Sequence, residues 1–243
     1  MSKEEKYIQN KRKIVGKAIN RYEQISANDR VLVAFSGGKD SLVLLETLAD
    51  RRKYLPVNYE LMACHIKVKS ISYEIDHDYV QDFCQRLGVP FYYEEVVADD
   101  IIDSKKSTCF LCSWHRRKAL FKKCSELNCN RLAFGHHMDD AIETLLMNMV
   151  YNGNISSMPP KLSMFEGEFD IIRPLILLSE KEIKKYVKIR KFTEQNKECQ
   201  FSDKSKRDDM KKTIKDFERH WKRARKNLWR SMYNIYEDFL PKE

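Results

Sequence analysis

Arg30-Val31-Leu32-Val33-Ala34-Phe35-Ser36-Gly37-Gly38-Lys39-Asp40-Ser41 is the stretch that decides the fold. Its apolar run, Arg30 to Phe35, stops abruptly at polar residues and two glycines, which is typical of a buried parallel strand. A helical pattern follows from Ser41 to Ala49. The polar residues therefore form a loop between a strand and a helix, at the sheet edge where such folds bind ligands.

The loop Ser36–Ser41 has the chemistry of a phosphate-binding site. Its two glycines permit close approach of the backbone, and their N–H groups, with those of the helix start, point positive dipole ends at phosphate oxygens. Lys39 adds a full charge, and the two serines offer hydroxyl donors. Asp40 after Lys39 excludes the Walker A pattern, which needs Ser or Thr at that position.

The rest of the chain alternates strand and helix patterns, which predicts an α/β fold with a doubly wound, mostly parallel sheet. We expect three parts: an N-terminal helical segment (1–28), an ATP-binding catalytic domain (29–200) and a basic helical C-terminal tail (201–243). The further strands are predicted near 60–66, 91–97, 131–134 and 169–172, and the further helices near 74–87, 139–151 and 180–190.

Composition limits the class of protein. The 243 residues are 42% hydrophobic, enough for a packed core, and the net charge of +9 suits either a polyanionic partner or general solubility. No apolar run approaches the roughly 20 residues that span a bilayer, and the N-terminus lacks the apolar stretch of a signal peptide. We therefore expect a cytoplasmic protein without membrane contact, in which seven cysteines are not a disulfide scaffold.

Two cysteines, Cys109 and Cys112, form a C-x-x-C pair that leads into a helical pattern. Zinc, an iron–sulfur cluster and a redox dithiol all suit such a pair, but the chain has no second C-x-x-C for a Cys₄ zinc site. Cys199 lies in a polar loop, where burial explains it poorly, and three cysteines suggest a [4Fe–4S] cluster. We expect plain burial for Cys64 and Cys84, and find no obvious partner for Cys124 and Cys129.

These motifs resemble one family, the TtcA-type tRNA 2-thiocytidine synthetases of the PP-loop ATP pyrophosphatase superfamily. The similarity covers roughly residues 12–220. It is carried by the loop Ser36–Ser41, by Thr108-Cys109-Phe110-Leu111-Cys112-Ser113, by Gly135-His136-His137-Met138-Asp139-Asp140, by Met158-Pro159-Pro160-Lys161-Leu162 and by Ile172-Arg173-Pro174-Leu175.

The resemblance implies an adenine nucleotide alpha hydrolase-like fold and a defined reaction. ATP would adenylate the C2 oxygen of a cytidine in the tRNA anticodon loop, at position 32, and sulfur would then replace that oxygen. A [4Fe–4S] cluster on Cys109, Cys112 and Cys199 would carry the sulfide on its unique iron. The implied ATP site consists of Ala34, Ser36, Gly37, Gly38, Lys39, Asp40, Ser41, Gly135 and His136.

The remaining site predictions concern charged residues. Asp40, Asp139 and Asp140 suit Mg²⁺ or proton handling, since Mg²⁺ prefers oxygen ligands, although Asp139 could instead cap a helix. Four basic residues are expected to contact tRNA phosphates: Arg116, Arg117, Lys161 and Arg173. Lys161 and Arg173 lie beside prolines, in predicted loops, where a plain surface charge is the alternative.

The C-terminal tail combines many basic residues with Trp221 and Trp229. The basic residues suit tRNA phosphates, and for the tryptophans burial is favoured over stacking on unpaired bases. By resemblance we also expect a homodimer and a cysteine desulfurase or another sulfide source as partner. Two alternative functions stay open: a PP-loop adenylating enzyme for another tRNA base or substrate, and a non-catalytic Fe–S RNA-binding protein.

Overall fold

A computed structural model describes residues 1–54, 58–71, 73, 75–98, 108–195 and 206–241. Within these residues one sheet of six strands has the order β3-β2-β1-β4-β6-β5. All neighbouring pairs are parallel except β5 with β6, which are antiparallel. The strands are β1 (Arg30–Ala34), β2 (Glu60–Val68), β3 (Phe91–Val96), β4 (Arg131–Ala133), β5 (Lys161–Met164) and β6 (Phe169–Ile172).

The centre of the sheet is β1, which pairs with β2 on one side and with β4 on the other; Val31 lies opposite Leu61 and Arg131. The chain passes from β1 outward in both directions, so β1 and β4 flank a topological switch point. The carboxyl ends of the adjacent parallel strands β1, β4 and β6 meet at one edge. Loops after these three strands are therefore brought together.

The chain forms two compact units by its contacts, residues 1–137 with 160–202 and residues 138–159 with 203–243. The first unit holds the sheet and five helices within its described residues, and the second holds three helices there. The helices of the first unit are α1 (Lys3–Arg21), α2 (Lys39–Arg51), α3 (His77–Arg86), α4 (Thr108–Glu126) and α6 (Glu180–Arg190). Those of the second are α5 (Met138–Asn152), α7 (Lys206–His220) and α8 (Ala224–Ser231).

Both faces of the sheet are covered by helices, because strand side chains alternate between the two faces. Val31 and Val33 of β1 belong to one apolar cluster, together with residues of α1, α2, α3 and α6. Leu32, between them, belongs to a second cluster that includes Leu120 and Cys124 of α4. The predicted doubly wound α/β fold is confirmed.

A buried carboxylate joins three helices on the first face. Glu46 of α2 is 3% exposed and accepts hydrogen bonds from the Tyr186 hydroxyl and the Arg190 guanidinium of α6. Arg12 of α1 lies 3.4 Å from the same carboxylate. A buried charge is tolerated only when it is paired and hydrogen-bonded, so this network fixes the packing of α1, α2 and α6.

The ends of two helices follow local sequence signals. Ser179 and Glu182 form the predicted capping box at the start of α6, with Ser179 accepting from the backbone N–H of Glu182. Ser2 and Glu5 form another at the start of α1. The N-terminal helix is shorter than the predicted segment 1–28, because it ends at Arg21.

Several predictions from the sequence differ from the structure. The short edge strand β5 was not predicted, and Lys161 opens this strand rather than lying in a loop. The helix after β4, which the sequence assigned to the ATP-binding domain, is α5 and packs against α7 and α8 of the second unit. Trp229 is buried as expected, but Trp221 is 64% exposed. No helix in the described residues is both long and apolar enough to cross a membrane.

Candidate active site

The loop Ser36–Ser41 joins β1 to α2 and folds on itself through short hydrogen bonds. The Ser41 hydroxyl donates to the Gly38 carbonyl at 2.9 Å, and the Gly38 N–H donates to the Ser36 hydroxyl at 3.3 Å. Gly37 has φ +77°, a left-handed conformation that a side chain disfavours. Gly38 precedes α2 as its N-cap and makes no side-chain capping bond, so the helix start is open to an anion.

The charged side chains at this loop lie close to one another. Lys39 Nζ lies 2.8 Å from Asp40 Oδ2 and 3.5 Å from Glu180 Oε1 of α6. Burial opposes the Lys39 charge, but the two carboxylates outweigh it and raise the pKa of Lys39. His137 Nε2 lies 3.7 Å from Asp40 Oδ1. The lysine is thus held charged beside the open helix start.

Gly135, after β4, packs directly against the same loop. A Cβ at this position would lie 3.1 Å from Asp40 Cβ and 3.3 Å from the Ser41 backbone nitrogen. Contacts this short leave almost no room for a methyl group. The predicted ATP-site residues Asp40, Ser41 and Gly135 are therefore adjacent, with Ala34 at the end of β1 just before the loop.

A buried arginine follows β6 at the same sheet edge. Arg173 is 8% exposed, and its Nε lies 3.4 Å from Nδ1 of His136, another predicted ATP-site residue. Burial and then repulsion from Arg117 lower the pKa of Arg173 to about 10. Two arginines that repel one another at a ligand-binding edge favour an anion there.

The cysteines separate by burial. Cys109 is exposed and Cys112 half-buried in the first turns of α4, where a spacing of three residues puts both side chains on one side of the helix. Cys199, the third predicted ligand, lies outside the described residues. In the described part of the chain, no group of three or more potential ligand residues is positioned to hold a metal ion.

The other four cysteines are buried. Burial raises the pKa of Cys64 and of Cys84 to about 12, as expected for core thiols. The structure supplies the partner that the sequence did not show for the other two: the Cys124 thiol donates to the Cys129 carbonyl at 3.2 Å. A hydrogen bond with Cys129, and then burial, raise the pKa of Cys124. Thiols of this kind are poor metal ligands, since the thiolate is the binding form.

The four predicted tRNA-contacting residues lie in different environments. Arg116 is half-buried with its guanidinium 4.6 Å from the Tyr73 ring centroid, and Arg117 is exposed. Lys161 donates to the Glu23 carbonyl at 3.0 Å and lies 3.3 Å from Asp170. These contacts account for the charge of Lys161 within the fold, and its role toward tRNA stays a prediction.

Asp139 and Asp140 lie in the second unit, in the first turn of α5. Because the helix begins at Met138, Asp139 is inside the helix and is not its N-cap. Arg225 of α8 pairs with Asp139, and Arg207 of α7 lies 3.1 Å from Asp140. Both carboxylates are therefore paired with arginines from the C-terminal helices.

Two residues at the phosphate loop were missed by the sequence reasoning. Glu180 was assigned only to a capping box, but its carboxylate reaches Lys39. Gln195 donates its backbone N–H to the Gly37 carbonyl at 3.0 Å, and its side chain covers the place where a Gly37 Cβ would stand. Both are far from the loop in sequence, and no local motif marks them.

Comparison with known proteins agrees with this geometry. Residues 8–217 match the family model for the PP-loop domain. The fold and the phosphate loop thus define a protein of the PP-loop class.

The curated relatives identify the family within the PP-loop class. The tRNA-cytidine(32) 2-sulfurtransferase of Burkholderia mallei (strain SAVP1) is 33% identical over 231 residues, which cover 93% of this chain and 69% of the relative. The enzyme of that name from Burkholderia pseudomallei (strain K96243) gives the same values. The chain belongs to the tRNA-cytidine(32) 2-sulfurtransferase family of PP-loop proteins.

One solved structure supports the fold. The U34-tRNA thiolase NcsA from Methanococcus maripaludis, with its [4Fe-4S] cluster, matches with a TM-score of 0.76 at 22% identity, over 99% of this chain and 82% of that chain.

Proposed function

We propose that the protein is an ATP-dependent tRNA thiolase, which adenylates the C2 oxygen of cytidine 32 and replaces that oxygen with sulfur. The observation that carries the proposal is the phosphate loop, which is folded with an open helix start in a chain 33% identical to tRNA-cytidine(32) 2-sulfurtransferases. The base and its position come from the names of these relatives.

The loop Ser36–Ser41 would bind the ATP phosphates. Backbone N–H groups at the start of α2 would contact phosphate oxygens, and Lys39 would neutralise the charge that develops on pyrophosphate. Attack of the cytidine oxygen on the α-phosphorus forms the new P–O bond and breaks the bond to the β-phosphate. The resulting adenylate makes a poor leaving group into AMP, which departs when the C–S bond has formed.

Carboxylates would hold the metal that accompanies ATP. Asp40 is suited to Mg²⁺, because its oxygens lie beside the loop and Mg²⁺ combines carboxylate and phosphate ligands. We assign Asp139 and Asp140 to Mg²⁺ binding or proton handling. In that role each carboxylate would have to release the arginine with which it is paired.

Arg173 and Arg117 would bind an anionic group of ATP or tRNA. The charge of Arg173 is costly in the folded protein, since burial and Arg117 lower its pKa. The negative charge of an incoming phosphate would compensate for both effects. Arg116 and Lys161 complete the set of residues assigned to tRNA.

The sulfur site would use Cys109 and Cys112 with Cys199 as the ligands of a [4Fe–4S] cluster. The exposed and half-buried positions of Cys109 and Cys112 fit such a ligand set, whereas the four buried cysteines do not. When bound, the cluster would supply the sulfur that enters C2. A homodimer and a separate sulfide source are further parts of the proposal.

The test is anaerobic reconstitution with iron and sulfide, followed by incubation with ATP, Mg²⁺ and tRNA and mass analysis of the nucleosides and of nuclease fragments of the tRNA. We expect 2-thiocytidine at position 32 and one pyrophosphate released for each thiolation. Thiolated uridine instead would contradict the assigned base, and cluster formation without pyrophosphate release would favour a non-catalytic Fe–S protein.

Two variants separate the sites. Lys39→Met should abolish pyrophosphate release and keep the cluster absorbance, while Cys112→Ser should lose the absorbance and keep ATP binding. Loss of absorbance in Lys39→Met would contradict the assignment of separate ATP and sulfur sites.

A further inference from the structure

One face of α4 carries exposed aromatic and basic side chains that the core does not need. Phe110 is 53% exposed and Trp114 46% exposed, and Arg117 and Lys118 are also exposed. Steps of three and four residues place these four side chains on the same side of the helix. We call this set the α4 aromatic face.

Trp114 is the centre of this face. Lys118 Nζ lies 5.3 Å from its ring centroid, and the His115 ring meets it edge-on at 4.9 Å. Contacts of both kinds restrict the orientation of the indole, although nearly half of the residue remains accessible. An accessible ring held in this way can receive a second flat ring.

The charge around Trp114 indicates the kind of partner. Helix α4 has no acidic residue before Glu126, while Arg116, Arg117, Lys118, Lys122 and Lys123 are all basic. Cations interleaved with accessible aromatic rings are the arrangement that binds single-stranded nucleic acid, since bases stack on the rings and phosphates pair with the cations. A purely apolar protein partner would not require this charge.

We propose that the α4 aromatic face is a stacking site for an unpaired nucleobase of the tRNA loop that carries the target cytidine. The nucleobase stacks on Trp114, and Arg117 and Lys118 contact the adjoining phosphates. This inference rests on the proposed function. Trp114 follows Cys112 by two residues, which places it about 3 Å along the helix axis and about 200° around it, so the stacked base lies on the side of α4 that faces away from the two cysteines.

The test compares Trp114→Ala with Trp114→Tyr in the reconstituted 243-residue protein. Loss of one stacked base corresponds to a rise of about 5- to 150-fold in KM for tRNA. We expect this rise for Trp114→Ala, with KM for ATP and cluster absorbance unchanged, and recovery for Trp114→Tyr. Tyr54→Ala, at a 73% exposed aromatic residue of the first unit, is the matched control and should leave KM for tRNA unchanged.

Tryptophan fluorescence gives a second readout, since the chain has three tryptophans. Titration with tRNA should quench the wild-type emission, and Trp114→Tyr should lose most of that quenching.

Three results would overturn the stacking site. If the wild type is active and Trp114→Ala has an unchanged KM for tRNA, the stacking site is refuted and the proposed function remains intact. Loss of cluster absorbance in Trp114→Ala would show that Trp114 shields the sulfur site instead. A wild type that neither binds nor thiolates tRNA would refute both proposals.

Discussion

Replacement of Arg173 by Met should make the free protein more stable and the enzyme less effective. Burial and repulsion from Arg117 lower the pKa of Arg173 from its ordinary value to about 10, which corresponds to a cost of about 3 kcal/mol at neutral pH. Loss of the hydrogen bonds of Arg173, among them the 3.4 Å contact with His136, offsets about 1 kcal/mol of the gain. We therefore expect the free energy of unfolding to rise by about 2 kcal/mol in Arg173→Met.

The pH dependence has a fixed sign. The folded state binds the Arg173 proton less tightly than the unfolded chain, so the cost is fully present below about pH 10 and decreases as the pH rises from the lowered pKa toward the ordinary pKa of arginine. Urea unfolding followed by circular dichroism should show a constant advantage of Arg173→Met from pH 6 to about pH 9. At about pH 11 that advantage should be smaller by about 1 kcal/mol.

Ligand binding should reverse the order of stability. Saturating ATP or pyrophosphate should stabilise the wild type by about 3 kcal/mol at a hundred times its Kd, and Arg173→Met distinctly less. Lys161→Met is the matched control: its ammonium contacts Asp170 and the Glu23 carbonyl, so its removal should lower stability by about 1 kcal/mol. An Arg173→Met protein that is less stable than wild type at pH 7 would refute the reasoning.

Three other substitutions test the loop, the buried carboxylate and the sulfur site. Gly37→Ala should lower stability by about 1–3 kcal/mol and weaken ATP binding, because φ is +77° and the new Cβ would lie 2.8 Å from the Gln195 side chain. Gly38→Ala is the control: its new Cβ would have its nearest contact at 3.5 Å, so stability should change by less than about 0.5 kcal/mol. Glu46→Gln should lower the free energy of unfolding by about 3 kcal/mol in the same urea assay, whereas Glu60→Gln, at an exposed ion pair, should change it by less than about 1 kcal/mol. Cys112→Ser should remove the visible absorbance of the reconstituted cluster, whereas replacement of any one of the four buried cysteines by serine should leave that absorbance unchanged. An unchanged spectrum in Cys112→Ser would exclude Cys112 as a ligand.

The local sequence was sufficient to predict elements that depend on residues close together in the chain. The strand before the phosphate loop and β6 were predicted within a residue, because a short apolar run bounded by glycine or polar residues has few other solutions. Ser179 gave the start of α6 for the same reason, since a capping box acts within one helical turn. The site residues of the loop follow from this local pattern.

The sequence was insufficient to predict features that depend on contacts between residues far apart in the chain. β5 is a four-residue edge strand with little burial, so it lacks a clear apolar alternation. Glu180 and Gln195 reach the loop from about 140 to 160 residues away, and no spacing rule connects them to it. An apolar helix face shows that α5 is packed, but not that α7 and α8 cover it.

The open start of α2 limits how this protein can be made more robust. Asp, Ser or Asn at the N-cap position usually stabilises a helix by a few tenths of a kcal/mol relative to glycine, which supplies no side-chain bond at Gly38. A protein engineer who ranked substitutions by stability would therefore introduce a capping side chain at this position. That side chain would occupy the N–H groups that we propose bind phosphate and would add a competing group at the proposed ATP site. Weak capping at Gly38 would then be a small cost in stability that phosphate binding requires, and bound nucleotide would complete the helix.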